Sequence, residues 1–209
     1  MGYPKYYKIK NVWDQIDMIN EIMPIDFNED VVERISKIPL PEKAEGWFVV
    51  PSLTENYVDE VEKTLSSISN TRTFYSHLEL KRKNIKRKER TSVAISRLEK
   101  YENAGDIIII PAQFGNLHRG LSIKEIETEK MTEREFGLGA YEVSWMLFTH
   151  PEREYKESNL HPVCIGDTVK VNKSFNFSPC FDYGEKVLEL GAFANNERLQ
   201  DFGAVTGFV

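Results

Sequence analysis

The amino-acid sequence predicts an α+β fold: a buried central helix, a small mixed sheet and C-terminal antiparallel hairpins. Three observations carry this expectation. Thr132–His150, TEREFGLGAYEVSWMLFTH, reads as a helix apolar on every side, and such a helix has to be surrounded by protein. Trp47–Val50 and Ile107–Ile110 read as buried strands separated by helical sequence. The residues after His161 are short β-rich runs broken by turn sequences.

In chain order, Val12, Trp13, Ile16, Ile19 and Met23 recur at helical spacing, and Asn28 is a good N-cap for a second short helix through Val31, Val32 and Ile35. Pro39 and Pro41 stop helical structure. Residues 1–45 therefore read as an N-terminal helical segment and linker, and residues 46–209 as an α+β domain. The first strand ends at Pro51. Ser52 and Glu55 stand at capping-box spacing before a helix carrying Val58, Val61, Leu65 and Ile68. A basic stretch leads into a second helix, which Asn103-Ala104-Gly105 stops. Two buried strands joined by a helical crossover are expected to lie parallel, bringing the turns after Val50 and Ile110 to one end of the sheet. In the central helix, Thr132 and Glu135 form a capping box, and Gly137, Ala140 and Ser144 make a narrow stripe for close backbone approach. Glu142 stands amid apolar neighbours and needs a partner, for which an arginine is the natural choice. Beyond it, Gly166-Asp167 and Asp182-Tyr183-Gly184-Glu185 punctuate hairpins, and residues 202–209 add a last strand.

Composition excludes some classes. At 209 residues, 41% hydrophobic and 29% charged, the chain has ordinary globular usage. It has no run of about 18 apolar residues to cross a membrane, and its first residues lack the apolar core of a signal peptide. Two cysteines, Cys164 and Cys180, suit a reducing compartment better than a disulfide framework. The expected setting is the cytoplasm, with no membrane partner.

The sharpest compositional shift is Lys81–Arg90, KRKNIKRKER, with seven Lys or Arg and one Glu in a chain whose net charge is −6. Lys81, Arg82, Lys83, Lys86, Arg87, Lys88 and Arg90, with Tyr75 just upstream, suit phosphate neutralisation and base stacking. Charge runs are also commonly solvated faces. The second candidate site is the loop 111–120, PAQFGNLHRG, where Asn116, His118 and Arg119, beside Ser52 at the start of the neighbouring helix, suggest a phosphorylated ligand. The histidines and cysteines show no metal-binding spacing, although His150, His161 and Cys164 are conceivable neighbours in space. No nucleophile motif or P-loop is present, and the G-x-G of FGLGAYE lies within the predicted helix, where a dinucleotide fingerprint does not. No cofactor is expected.

The stretches EFGLGAYEVSWMLFTHPER and DIIIIPAQFGNLHRG resemble an uncharacterised family of bacterial hypothetical proteins over about residues 46–209. That family has no assigned activity, so the resemblance implies a prokaryotic origin and no site residues. The leading expectation is a non-enzymatic nucleic-acid or polyanion binder acting through Lys81–Arg90. The alternatives are an enzyme or small-molecule binder at the 111–120 loop, and an assembly component that pairs with a protein partner or with itself through residues 11–37.

Overall fold

The computed structural model describes residues 2–153 and 159–209. Both N-terminal helices form, the second at its expected cap. Asn11 accepts the Asp14 N–H at the start of α1 (Val12–Asn20), and Asn28 accepts the Val31 N–H at the start of α2 (Glu29–Ser36). Val12, Ile16, Ile19, Val32 and Ile35 are buried in the same apolar core as the strands and later helices. Gln15 of α1 donates to the Trp47 carbonyl and accepts the Val49 N–H, closing the outer edge of β1 (Gly46–Pro51) as a neighbouring strand would.

The next helix, α3 (Tyr57–Thr71), is capped by Asn56 rather than by Ser52. The basic stretch is divided among three elements. After β2 (Phe74–Ser76) comes a turn, then β3 (Ile85–Arg87), then α4 (Glu89–Glu102), which stops at a left-handed Asn103 as its sequence predicts. The isoleucine strand β4 (Ile107–Gln113) runs through Pro111 to Gln113. It lies beside β1, but antiparallel to it, pairing Gly46 with Ala112 and Pro51 with Ile107. The parallel expectation fails because two helices in series, α3 and α4, join the strands. The second helix returns the chain to the end at which the first began.

A short helix, α5 (Ile123–Glu125), opens with a full capping box between Ser122 and Glu125 and continues into a π-helical turn, Ile126–Lys130. The central helix is shorter than its sequence suggests. Glu135–Gly137 is a strand, β5, and α6 (Ala140–Thr149) begins only after Gly139. Glycines at 137 and 139 weaken helix propagation, and β5 gains a partner in β11. The expected capping box does not form there: the Glu135 N–H donates to the Thr132 carbonyl, and Glu135 Oε2 reaches the Thr132 N–H only at 3.5 Å, in a turn that enters the strand instead of a helix. At the true start of the helix Glu142 Oε2 accepts the Gly139 N–H at 2.9 Å, the glutamate half of a box whose other half a glycine cannot supply. Every residue of α6 is buried.

The remaining strands are β6 (His161–Val163), β7 (Asp167–Val171), β8 (Ser174–Gly184), β9 (Val187–Ala194), β10 (Phe202–Ala204) and β11 (Thr206–Phe208). Among the described residues, one sheet has the order β1-β4-β11-β5 and is antiparallel throughout. The other is mixed, with β3, β7, β8, β9 and β2 side by side, and β6 and β10 beside the far half of β8. Its two tight hairpins turn on Asn172-Lys173 and Glu185-Lys186, both pairs at positive φ as such turns require. The mixed sheet's inner face supplies Phe181, Leu188 and Leu190 to the main core. Its outer face carries a smaller cluster in which Ile123, Ile126, Cys180 and Phe193 meet. No helix of the described residues is long and apolar enough to cross a membrane.

Candidate functional site

The cations of residues 81–90 are dispersed. Lys81 pairs with Glu79, and Arg82 Nη2 lies 2.9 Å from Asp59. Lys88 is held by Glu127 at 2.5 Å, while Arg90 donates to the Thr132 and Glu135 carbonyls. Arg87 turns inward. Its side chain is 10% exposed and lies 2.5 Å from Glu142, itself 1% exposed, with the guanidinium over the Tyr57 ring. Glu142 thus finds the arginine its apolar surroundings require.

Beside this pair, the Asp167 carboxylate is fully buried. It accepts the Tyr57 hydroxyl at 2.5 Å and the Ala140 N–H at 2.7 Å. Burial pushes its carboxyl up to about 7, against these two hydrogen bonds. Its other oxygen, like Arg87 Nε and Nη1, has no hydrogen-bond partner among the described residues. The first amides of α6 are therefore occupied from within by Glu142, Asp167 and Tyr57, and Arg87 serves as their counter-charge. This is an interior network rather than a surface for a partner.

Lys83 in the turn and Lys86 on β3 are exposed, as are Lys81, Arg82 and Arg90 within their pairings. Lys86 stands opposite Thr168 on β7, so it shares the outer face of the mixed sheet with Lys170. The β7–β8 ladder slips between Val169–Phe177 and Val171–Ser174, giving β8 one extra residue. Such a bulge turns two consecutive side chains to one face, here Phe175 and Asn176. Lys86 Nζ lies 4.3 Å and Lys170 Nζ 6.0 Å from the Phe175 ring centroid, within cation–π reach. Phe177, the next odd residue, packs into the main core instead.

Tyr75 is 57% exposed but sits on β2, four strand spacings or about 19 Å from β3 across the sheet. It packs edge-on against His77, and Phe175 takes the place beside the lysines that Tyr75 was expected to fill. The alternation Lys170-Val-Asn-Lys173-Ser-Phe175 carries a basic–aromatic signal, but a sequence reading has no means of placing it next to Lys86.

The 111–120 candidates separate. His118 is buried and meets Glu135 Oε1 at 2.5 Å, where the Thr206 hydroxyl also donates. Burial raises the Glu135 carboxyl, but these hydrogen bonds outweigh it and hold it below its ordinary range. Arg119 Nε donates to the Gln200 carbonyl, and the Asn116 N–H to the Tyr3 hydroxyl. Because β1 and β4 are antiparallel, Ser52 lies at the opposite end of the sheet, its N–H on the Asp106 carbonyl, a strand length of about 20 Å away. His150 has both ring nitrogens engaged, Nε2 by the Lys10 N–H and Nδ1 beside the Met146 carbonyl. Among the described residues no group of three His, Cys, Asp or Glu is placed to hold a metal.

Comparison with known proteins finds no matching family model, no matching curated protein and no matching solved structure.

Proposed function

We propose that this chain acts inside the cell as a non-enzymatic nucleic-acid binder, taking a single strand on the outer face of the mixed sheet. The observation that carries the proposal is the half-buried Phe175 ring flanked by the exposed Lys86 and Lys170 on the outer strand surface. An aromatic ring gives a base a stacking platform of any sequence, and the two ammonium groups meet the flanking phosphates. Lys83 and Lys173, both exposed, extend the positive charge to the adjoining turns. Two buried free cysteines accord with a reducing compartment.

The test is fluorescence anisotropy of labelled single-stranded oligonucleotides across a salt series. Binding weakens with salt, and Lys86→Gln with Lys170→Gln lowers the log–log slope by about 1.4, since each neutralised single-strand phosphate contributes about 0.7. Phe175→Ala costs about 1–3 kcal/mol with little change of slope. No binding at low salt, or an unchanged slope in the double variant, overturns the proposal.

A further inference from the structure

Next to Phe175 the outer face opens into a recess of about 410 Å³ lined by Lys124, Glu127, Thr128, Asn176, Asn195 and Asn196. Asn176 reaches it through the same bulge that exposes Phe175. Without the extra residue the two side chains take opposite faces of the sheet. The Asn195 side-chain amide lies 3.2 Å from Ser178 Oγ, whose own proton goes to the Asp167 carbonyl at 2.9 Å, so the amide is anchored at the edge of the recess. Glu127 is steadied by Lys88 from α4. The rim therefore offers planar amides with a donor and an acceptor side by side, and one carboxylate acceptor.

We propose that this recess receives one unstacked adenine base of the strand whose neighbouring base stacks on Phe175; this rests on the binding surface proposed above. An asparagine amide matches adenine in two places at once, accepting from N6 and donating to N7. Guanine presents two acceptors on that edge, of which an asparagine amide can meet only one with its NH₂ while its carbonyl oxygen opposes the other. A paired, stacked base has no free face for Phe175 and no freedom to enter the recess. The site thus selects single strands containing adenine over duplex and over pyrimidine-only strands.

The experiment uses the full chain and labelled oligo(dA) and oligo(dC) of about 12 nucleotides, within the usual span of one such surface, together with a duplex of equal length. The wild type binds oligo(dA) roughly tenfold more tightly than oligo(dC), the low end of what one amide–adenine match gives. Asn176→Ala with Asn196→Ala abolishes the preference and leaves oligo(dC) binding unchanged. Equal affinity for the two strands in the wild type, or a preference that survives the double variant, overturns the adenine recess while leaving the binding surface standing. Failure of every oligonucleotide to bind removes both. A duplex that binds as well as oligo(dA) overturns the single-strand requirement.

Discussion

Replacing Arg87 by methionine tests the division between interior and surface cations most directly. A surface lysine or arginine removed from a binding face changes stability by a few tenths of a kcal/mol. Arg87 is different, because its side chain is nine-tenths buried and Glu142 has no aqueous alternative. Removing one partner of a buried pair leaves an uncompensated charge and costs about 3–5 kcal/mol. Glu142 keeps the Gly139 N–H, which softens the loss, so about 4 kcal/mol is expected. With a urea m-value of about 2.5 kcal/mol per molar, the midpoint falls by roughly 1.6 M. Adding Glu142→Gln removes the stranded charge, and roughly 2 kcal/mol or more of the loss returns. Equilibrium urea unfolding, followed by tryptophan fluorescence, reads both numbers. A loss below about 1 kcal/mol for Arg87→Met, or additive losses in the double variant, refutes the reasoning and returns Arg87 to the surface cations.

Asp167, raised to about 7 from 3.8 by burial, binds its proton more tightly when folded, so its contribution to stability is lost as pH rises between about 4 and 7; Asp167→Asn removes that slope, at most about 4 kcal/mol, from pH-dependent urea curves. His150, lowered to about 4 by burial and Lys10, acts oppositely: it stabilises above pH 6.5 and weakens the fold as pH falls toward 4, a loss that an uncharged replacement such as His150→Gln eliminates from acid titrations. Gln15→Ala strands the Val49 N–H and the Trp47 carbonyl and costs about 3 kcal/mol in thermal or urea unfolding; a loss under 1 kcal/mol shows that water replaces the side chain. Gly203→Ala places a Cβ against the Gly115 carbonyl oxygen, and both partners are backbone, so about 3 kcal/mol is lost. Full stability there requires the two chain segments to part without cost.

The outcomes differ between elements for physical reasons. The caps at Asn11 and Asn28 and the left-handed stop at Asn103 are local, and their residue types decide them wherever they occur. Glu135–Gly137 was not local: its residues satisfy a helical pattern, and only the arrival of β11 some seventy residues later made a strand the better way to pair those amides. The direction of β4 against β1 was likewise set by how α3 and α4 pack in series, which no pattern within either strand records.

Charge shows the same division. By itself the sequence determined an α+β fold with a fully buried helix, a need for a cation at Glu142, and a run of seven cations between residues 81 and 90. How each of those cations is engaged was decided by partners distant in sequence: Asp59 pairs with an Arg82 that stays exposed, Glu127 holds Lys88, and Glu142 draws Arg87 into the interior. The surface that remains around Phe175, with Lys86 and Lys170, joins three strands, β3 and the bulged β7–β8 pair some eighty residues later. A sequence records which side chains carry charge, but the free energy of burying or pairing each one depends on neighbours that only the folded chain brings within a few ångströms.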